Sequence, residues 1–300
     1  MKILFGPINS RRFGKSLGID LSPSKKQCNF DCVYCELSPK KPQENQDEII
    51  SIEQIMLEVQ NILKKNIEFD FLTLTANGEP SLYPHLDELI SSLRQLIKNK
   101  KLLILSNGTA VLDEKKFQSL LRLDVVKFSL DSAICKTFYR IDKALKNIDL
   151  QAMIEKMAEF RVQFQGDLIM ETLVVKDLND NEEEFKALNQ AFKKILPLRI
   201  DLSTIDRPPS YAVKAISEEK LMQLSKFIDC APVFLSKRNY QNEALSFNKE
   251  ELLKMLHLRP QSQMDIKARL DQSSQILLKQ LIKEKKVKIL DLAGVKFYKA

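Results

Sequence analysis

The sequence predicts an α/β protein: a partial, six-unit (β/α)6 TIM-like barrel with a small winged-helix-like domain at its carboxyl end. Three observations predict it. From about residue 50 to 235, apolar β-rich runs alternate with amphipathic stretches at the spacing of a strand–helix unit with its loops, the pattern of a parallel sheet. A further strand near 17–21 makes six units, and right-handed crossovers then bring every active-site loop to the carboxyl ends of the strands. Beyond about residue 246 the pattern changes to three short helices and a hairpin-like pair, and the charge changes with it.

The elements follow in order. After the strand at 17–21, the polar, proline-containing stretch 38–47 reads as a mobile connection. A helix is expected over 51–65, with Ser51 as N-cap and Ile52, Ile55, Met56, Val59, Ile62 and Leu63 on one stripe. A strand over 69–75 precedes a second helix over 84–98, patterned by Leu86, Leu89, Ile90, Leu93, Leu96 and Ile97. Then come a strand at 101–105, a helix at 113–121 and a strand at 125–130. Further units place helices at 150–160 and 182–195 and strands at 167–175 and 198–205. The stretch 236–248 reads as a linker, dividing the chain into a barrel over 1–235 and a basic domain over 249–300. In that domain Asn248 is the expected N-cap of a helix at 249–258. Helices at 262–270 and 273–286 follow, and strands at 287–290 and 295–298 are joined by a turn at 291–294.

The chain has 300 residues and a net charge of +7. Residues 246–300 hold twelve Lys or Arg against six Asp or Glu, so almost all the excess is at one end. A localised basic excess favours polyanions, although a charge run is also what a solvated face looks like. Lys279, Lys283 and Lys286 share one side of the third short helix, opposite Leu277, Leu281 and Ile282, which makes RNA a candidate partner. The amino end carries one Lys and a short apolar run broken by Gly6-Pro7 and then Arg11-Arg12, neither a secretory signal nor a membrane span. A soluble, cytoplasmic protein with no membrane partner is expected.

Chemistry is concentrated in Cys28-Asn-Phe-Asp-Cys32-Val-Tyr-Cys35, three of the chain's five cysteines. Three thiolates can hold three irons of a 4Fe-4S cube and leave the fourth open, and an open position distinguishes a reactive metal site from a structural one. A zinc site is the alternative, but it normally takes a fourth Cys or His at short spacing. The other candidates, His85, His257, Cys135 and Cys230, are far away in sequence. Cys135 and Cys230 read as small buried hydrophobes. With only seven glycines in the chain, Gly78 in Asn77-Gly78-Glu79-Pro80, just past a strand, marks a tight turn or a close approach to a ligand. Asn is suited to the first position because it accepts positive φ.

The cysteine spacing resembles that of the radical S-adenosylmethionine (SAM) superfamily. The resemblance implies a radical SAM barrel in which Cys28, Cys32 and Cys35 hold the cluster and the open iron chelates SAM. The turn Asn77 to Pro80 stands where such enzymes place a Gly-Gly-Glu, so Asn77, Gly78 and Glu79 are expected to meet SAM, with Glu79 on its ammonium. Tyr34 is expected beside the adenine. Ser106 and Asn107, which end in Gly108, are expected near SAM or substrate. Ser129 and Asp131 are candidates for the ribose hydroxyls, with a helix N-cap as the alternative for Asp131. Glu171, Asp206 and Arg207 are weaker candidates at the barrel mouth, where a salt link between strands would equally explain Arg207.

The segment Gly6 to Asp20, with the cysteine loop, Asn77 to Pro80 and Asp206 to Pro209, is similar to a stand-alone group of iron-sulfur oxidoreductases classed loosely with wyosine synthases and nitrogenase-cofactor maturases. That resemblance implies an enzyme using a 4Fe-4S cluster and SAM to abstract hydrogen from an RNA base, a protein or a metabolite, with a reductant such as flavodoxin or ferredoxin. The wyosine-forming reaction of tRNA is not expected, because it uses a second cluster on upstream cysteines and no Cys precedes Cys28. The rival from another class is a nucleic-acid-binding regulator that senses a metal through an iron-sulfur or zinc site and performs no reaction.

Overall fold

The structure is a computed structural model, described for residues 3–10, 13–97, 99–235, 246–258, 260–292 and 295–300. Arg11 and Arg12, Lys98 at the end of the expected second helix, most of the expected linker and the turn at Ala293-Gly294 lie outside the described residues. An eight-stranded sheet runs β1 (Leu4–Ser10), β2 (Gly14–Asp20), β3 (Phe71–Thr75), β4 (Lys101–Ser106), β5 (Val125–Ser129), β6 (Asp167–Val174), β7 (Arg199–Thr204) and β8 (Val233–Leu235), in sequence order. From β2 to β8 every neighbouring pair is parallel, whereas β1 pairs antiparallel with β2. The sheet ends at β1 and β8, so the barrel is open and partial.

The six expected strands correspond to β2 to β7, and the two edge strands are a correction. Gly6 and Pro7 break the apolar run of β1 as read along the sequence, and an edge strand is where a proline without an N–H is tolerated. The other edge, β8, spans three residues, too few for an alternating pattern to register.

Among the described residues seven α-helices connect the strands: α1 (Ile52–Lys64), α2 (Leu86–Leu96), α3 (Glu114–Leu120), α4 (Cys135–Ile141), α5 (Leu150–Gln163), α6 (Glu182–Ile195) and α7 (Glu218–Ser225). Ser51, Asp113, Asp149, Asn181 and Ser217 each accept an N–H of the first turn of the helix they precede, a cap worth about 1 kcal/mol apiece. The helices cover the outer face of the sheet. There Leu72, Leu74, Ile104, Val126, Phe128, Met170 and Leu202 are fully buried in the main core. On the inner face, Leu103, Val125 and Ile169 pack with Phe13 and Phe71 in a smaller apolar plug. Beside it Lys127 is paired with Glu171 at 2.8 Å and with Asp201 at 3.1 Å.

The carboxyl-terminal elements are α8 (Lys249–Leu258), β9 (Gln261–Ser262), α9 (Gln263–Arg269), α10 (Gln272–Lys283), β10 (Lys288–Leu292) and β11 (Val295–Lys299). The strands form an antiparallel sheet in the order β10-β11-β9. This order of helices and strands is that of a winged helix-turn-helix. Leu252, Leu256, Ile266, Leu270, Leu278, Leu281 and Val287 make a core separate from the barrel's. Asn248 caps α8, accepting from Glu251 N–H at 3.0 Å while Glu251 accepts from Asn248 N–H at 3.2 Å. Lys279 and Lys283 are exposed on α10. Lys286 is not on the helix with them: it lies beyond the helix end and pairs with Glu284 at 3.0 Å.

Candidate functional site

The cysteine loop has almost no regular structure, so its backbone groups must find partners elsewhere. At the end of β2, Asp20 accepts from Ser22 N–H and Asn77 N–H and from the Asn77 amide. Gln27 then lies alongside Gly78 as a single parallel bridge: its N–H donates to Asn77 O, and Glu79 N–H donates to its carbonyl, both at 2.9 Å. Gly78 has φ +139°, and a Cβ there would fall 1.9 Å from the Gln27 carbonyl oxygen. Only glycine allows this approach. The buried Gln27 side chain reaches Ser22, Asp47 and Glu48, so the connection at 38–47 is tied down rather than loose.

The rest of the loop is fixed by distant chain. Gln43 N–H donates to Cys28 O, and Leu145 N–H donates to Asn29 O. Asp31 N–H and Val33 N–H donate to the carbonyls of Asp142 and Ile141. Ser210 N–H donates to Cys35 O at 2.8 Å, and the Ser210 hydroxyl donates to Leu37 O. Asp31 accepts from Lys26 at 2.6 Å and from the Tyr211 hydroxyl. Arg207 lies 3.5 Å from Glu36, an ion pair to the cysteine loop rather than one between strands.

These restraints leave one cavity lined by Cys28, Cys32 and Cys35 together with Gly78, Glu79, Ser106, Asn107 and Ser129. Tyr34 also lines it, with its hydroxyl donating to Asp131 at 2.5 Å. It is bounded by the carboxyl ends of β3, β4 and β5. Burial pushes the Cys28 thiol up to about 12, aided by the charge of Glu79. The Cys32 thiol is pushed well above its usual range by burial and by Asp142, and Cys35 is raised by burial against the opposing pull of Lys26. Three half-buried cysteines on one cavity suit a cluster whose cationic irons replace their protons. Among the described residues, no three His, Cys, Asp or Glu side chains are gathered round a single-ion position.

Glu79 is 2% exposed. One of its oxygens accepts from Ser81 N–H and the Ser106 hydroxyl, the other from Asn107 N–H at 2.7 Å. Burial raises its pKa, and these donors oppose the rise. Every one of these donors is neutral, so the carboxylate offers an incoming ammonium its counter-charge. Ser106 and Asn107 therefore act by holding Glu79. Gly108, at φ +85°, completes their turn.

Two expected positions are bonded by the protein itself. Asn77, expected to suit a positive φ, has none. Its amide instead bonds Asp20 at 2.7 Å and Ser22 O, fastening the turn to the end of β2. Asp131 is buried, accepts from Tyr34 and from Leu173 N–H, and is hydrogen-bonded to Asp142. Burial pushes it up to about 6. Cys135, read as a buried hydrophobe, is exposed, and Cys230 is half-buried.

Residues that the sequence did not mark include Gln27, Asn29, Asp142 and Leu105. Asn29 joins the loop to Thr109 and Asn107, and Asp142 accepts from Cys32 at 3.3 Å. Adjacency to Cys28 was the one available signal for Gln27 and Asn29. Asp142 had none.

The Radical SAM superfamily model matches residues 23–188. The chain is 42% identical to the UPF0026 protein of Helicobacter pylori strain J99, spanning 99% of this chain and 97% of that one. It is 30% identical to a UPF0026 protein of Methanocaldococcus jannaschii, over 99% of this chain and 96% of that one. Among solved structures it is similar in fold to a radical SAM methyltransferase from Sphaerobacter thermophilus, with a TM-score of 0.56 at 11% identity, over 74% of this chain and 66% of that one. Among the described residues no helix is long and apolar enough to cross a membrane.

Proposed function

Belonging to the radical SAM superfamily, and within it to the UPF0026 proteins, this chain is one whose cofactors are a 4Fe-4S cluster and SAM; on that premise we propose that it cleaves SAM reductively and abstracts hydrogen from an RNA base. When bound, the cluster and SAM together supply a 5'-deoxyadenosyl radical. The observation that carries the reading is the single cavity onto which Cys28, Cys32, Cys35 and Glu79 all open. The three thiolates hold the cluster. Glu79 orients the methionyl ammonium, itself fixed by Ser81, Ser106 and Asn107. Ser129 offers a hydroxyl, and Tyr34 is positioned by its bond to Asp131.

The basic end supports RNA as the substrate class, with exposed Lys279 and Lys283 on a helix of a winged-helix-like unit. A protein or metabolite substrate, or a regulator without catalysis, would be separated from this reading by one assay. Reconstituted, reduced protein is incubated anaerobically with SAM, with and without bulk RNA from a strain lacking the protein. 5'-Deoxyadenosine formation stimulated by that RNA is expected. Formation without stimulation turns the search to protein or metabolite substrates, and no SAM cleavage with tight nucleic-acid binding favours the regulator. Cys28→Ala, Cys32→Ala and Cys35→Ala should each abolish cleavage; product from any of them would remove that thiol from the ligand set.

A further inference from the structure

A second concavity, of about 500 Å³, is walled by two segments, 41–44 and 143–147. Neither wall belongs to the SAM cavity, yet both are fastened to the cysteine loop. Gln43 N–H donates to the carbonyl of Cys28 at 2.9 Å, and Leu145 N–H donates to that of Asn29 at 3.1 Å. A third tie runs through Lys143, whose ammonium lies 3.9 Å from the centre of the Tyr211 ring. The Tyr211 hydroxyl in turn donates to Asp31, between Cys28 and Cys32. The lining is basic: Lys41, Lys143 and Lys146 face a single acid, Glu44, which accepts from the Asn147 amide at 2.9 Å. Lys41 and Lys146 are exposed.

We propose that this lysine-lined concavity docks an acidic one-electron carrier protein of the flavodoxin or ferredoxin kind, delivering the electron that the cluster requires. The inference rests on Cys28, Cys32 and Cys35 as cluster ligands. One electron leaves the carrier, which is oxidised by one unit, and enters the cluster, which is reduced by one unit; no bond forms or breaks. A positive concavity one hydrogen bond from a ligand's own peptide does two things for such a transfer. It steers an acidic partner to productive encounter, an effect that salt screens. It also seats the carrier where the path to the cluster is short. RNA fits this patch less well, because single strands are gripped by stacking on aromatic faces and the Tyr211 ring is already covered by Lys143.

The test measures cluster reduction in the reconstituted holoprotein by stopped flow, with reduced flavodoxin as the probe and photoreduced 5-deazaflavin as a small neutral control. The variant is Lys41→Glu/Lys143→Glu/Lys146→Glu. Its second-order rate constant with flavodoxin at low salt should fall at least tenfold and lose most of its salt dependence, while its deazaflavin rate and iron content match wild type. An unchanged flavodoxin rate would overturn the proposal. So would loss of single-stranded RNA binding in the variant with flavodoxin reduction intact. If wild type shows no reducible 4Fe-4S signal even with deazaflavin, the ligand reading fails, and this inference fails with it.

Discussion

Gly78→Ala should detach the SAM turn from the cysteine loop, at a cost that follows from the geometry. Gly78 sits at φ +139°, and a methyl there would lie 1.9 Å from the Gln27 carbonyl oxygen and 2.4 Å from its carbon. The obstacle is backbone, so no rotamer change relieves it. Holding alanine in that conformation costs about 1–3 kcal/mol. Pushing the segments apart also loses the two 2.9 Å bonds bracketing the bridge, at about 1 kcal/mol each. The sum is about 3–5 kcal/mol, a large part of the roughly 5–15 kcal/mol available to a folded domain. A thermal scan of the metal-free protein should show a fall of about 6–10 °C. SAM affinity of the reconstituted protein, by equilibrium dialysis, should fall at least tenfold as Glu79 moves with the turn. A variant melting within about 2 °C of wild type, with unchanged SAM affinity, would refute the steric reasoning.

Three further outcomes are expected. Glu79→Gln should retain iron and sulfide but bind SAM at least about 100-fold more weakly, since removing one member of a buried charge pair costs about 3–5 kcal/mol; equal affinity would take Glu79 out of the site. Lys127→Met takes a buried cation from Glu171 and Asp201 and leaves Asp201 its pair with Arg199 at 3.1 Å; it should lower urea stability by about 2–3 kcal/mol, whereas a loss under about 1 kcal/mol would mean the pair is no better than an exposed one. In the metal-free protein, Asp131, at about 6, and Asp142, well above the usual range, both hold protons that the unfolded chain releases. Their contribution is therefore complete below about pH 4 and is lost as pH rises, for Asp131 through about 6. Asp142→Asn should flatten the fall in urea midpoint between about pH 5 and 8, and an unaltered slope would show that the pair does not govern it.

Much of the fold was legible because its signals are local. The stripe of α6 is bounded by Asn181 as N-cap, so its limits at Glu182 and Ile195 coincide with the observed ones. The inner strands are apolar runs separated by turn residues. By contrast α4 starts behind Ile134, which gives it no side-chain cap, whereas the equally short α3 is announced by Asp113. The three thiols and Glu79 were also legible, because their chemistry is carried by residue type at short spacing.

What the sequence hid were roles set by partners far along the chain. Asp131 stands at the end of β5, where a carboxylate could meet either a ligand or protein. Its protein partners, Tyr34 at 97 residues' distance along the chain and Asp142, leave no mark in the sequence around it. Asn77 suits a positive-φ turn by type, yet Asp20 at the end of β2 takes its amide and its φ is not positive. The anchoring of the cysteine loop was the least legible feature, and the reason is chemical. Asp31 and Val33 donate to the carbonyls of Asp142 and Ile141, and Ser210 N–H and Leu145 N–H donate to the carbonyls of Cys35 and Asn29. A main-chain bond asks nothing of the side chain except that the donor not be proline, so no residue type marks those positions. The loop is thus specified twice: by three cysteines that any reader can find, and by peptide groups from the turn after α4 and the 206–211 segment that only the fold brings within reach.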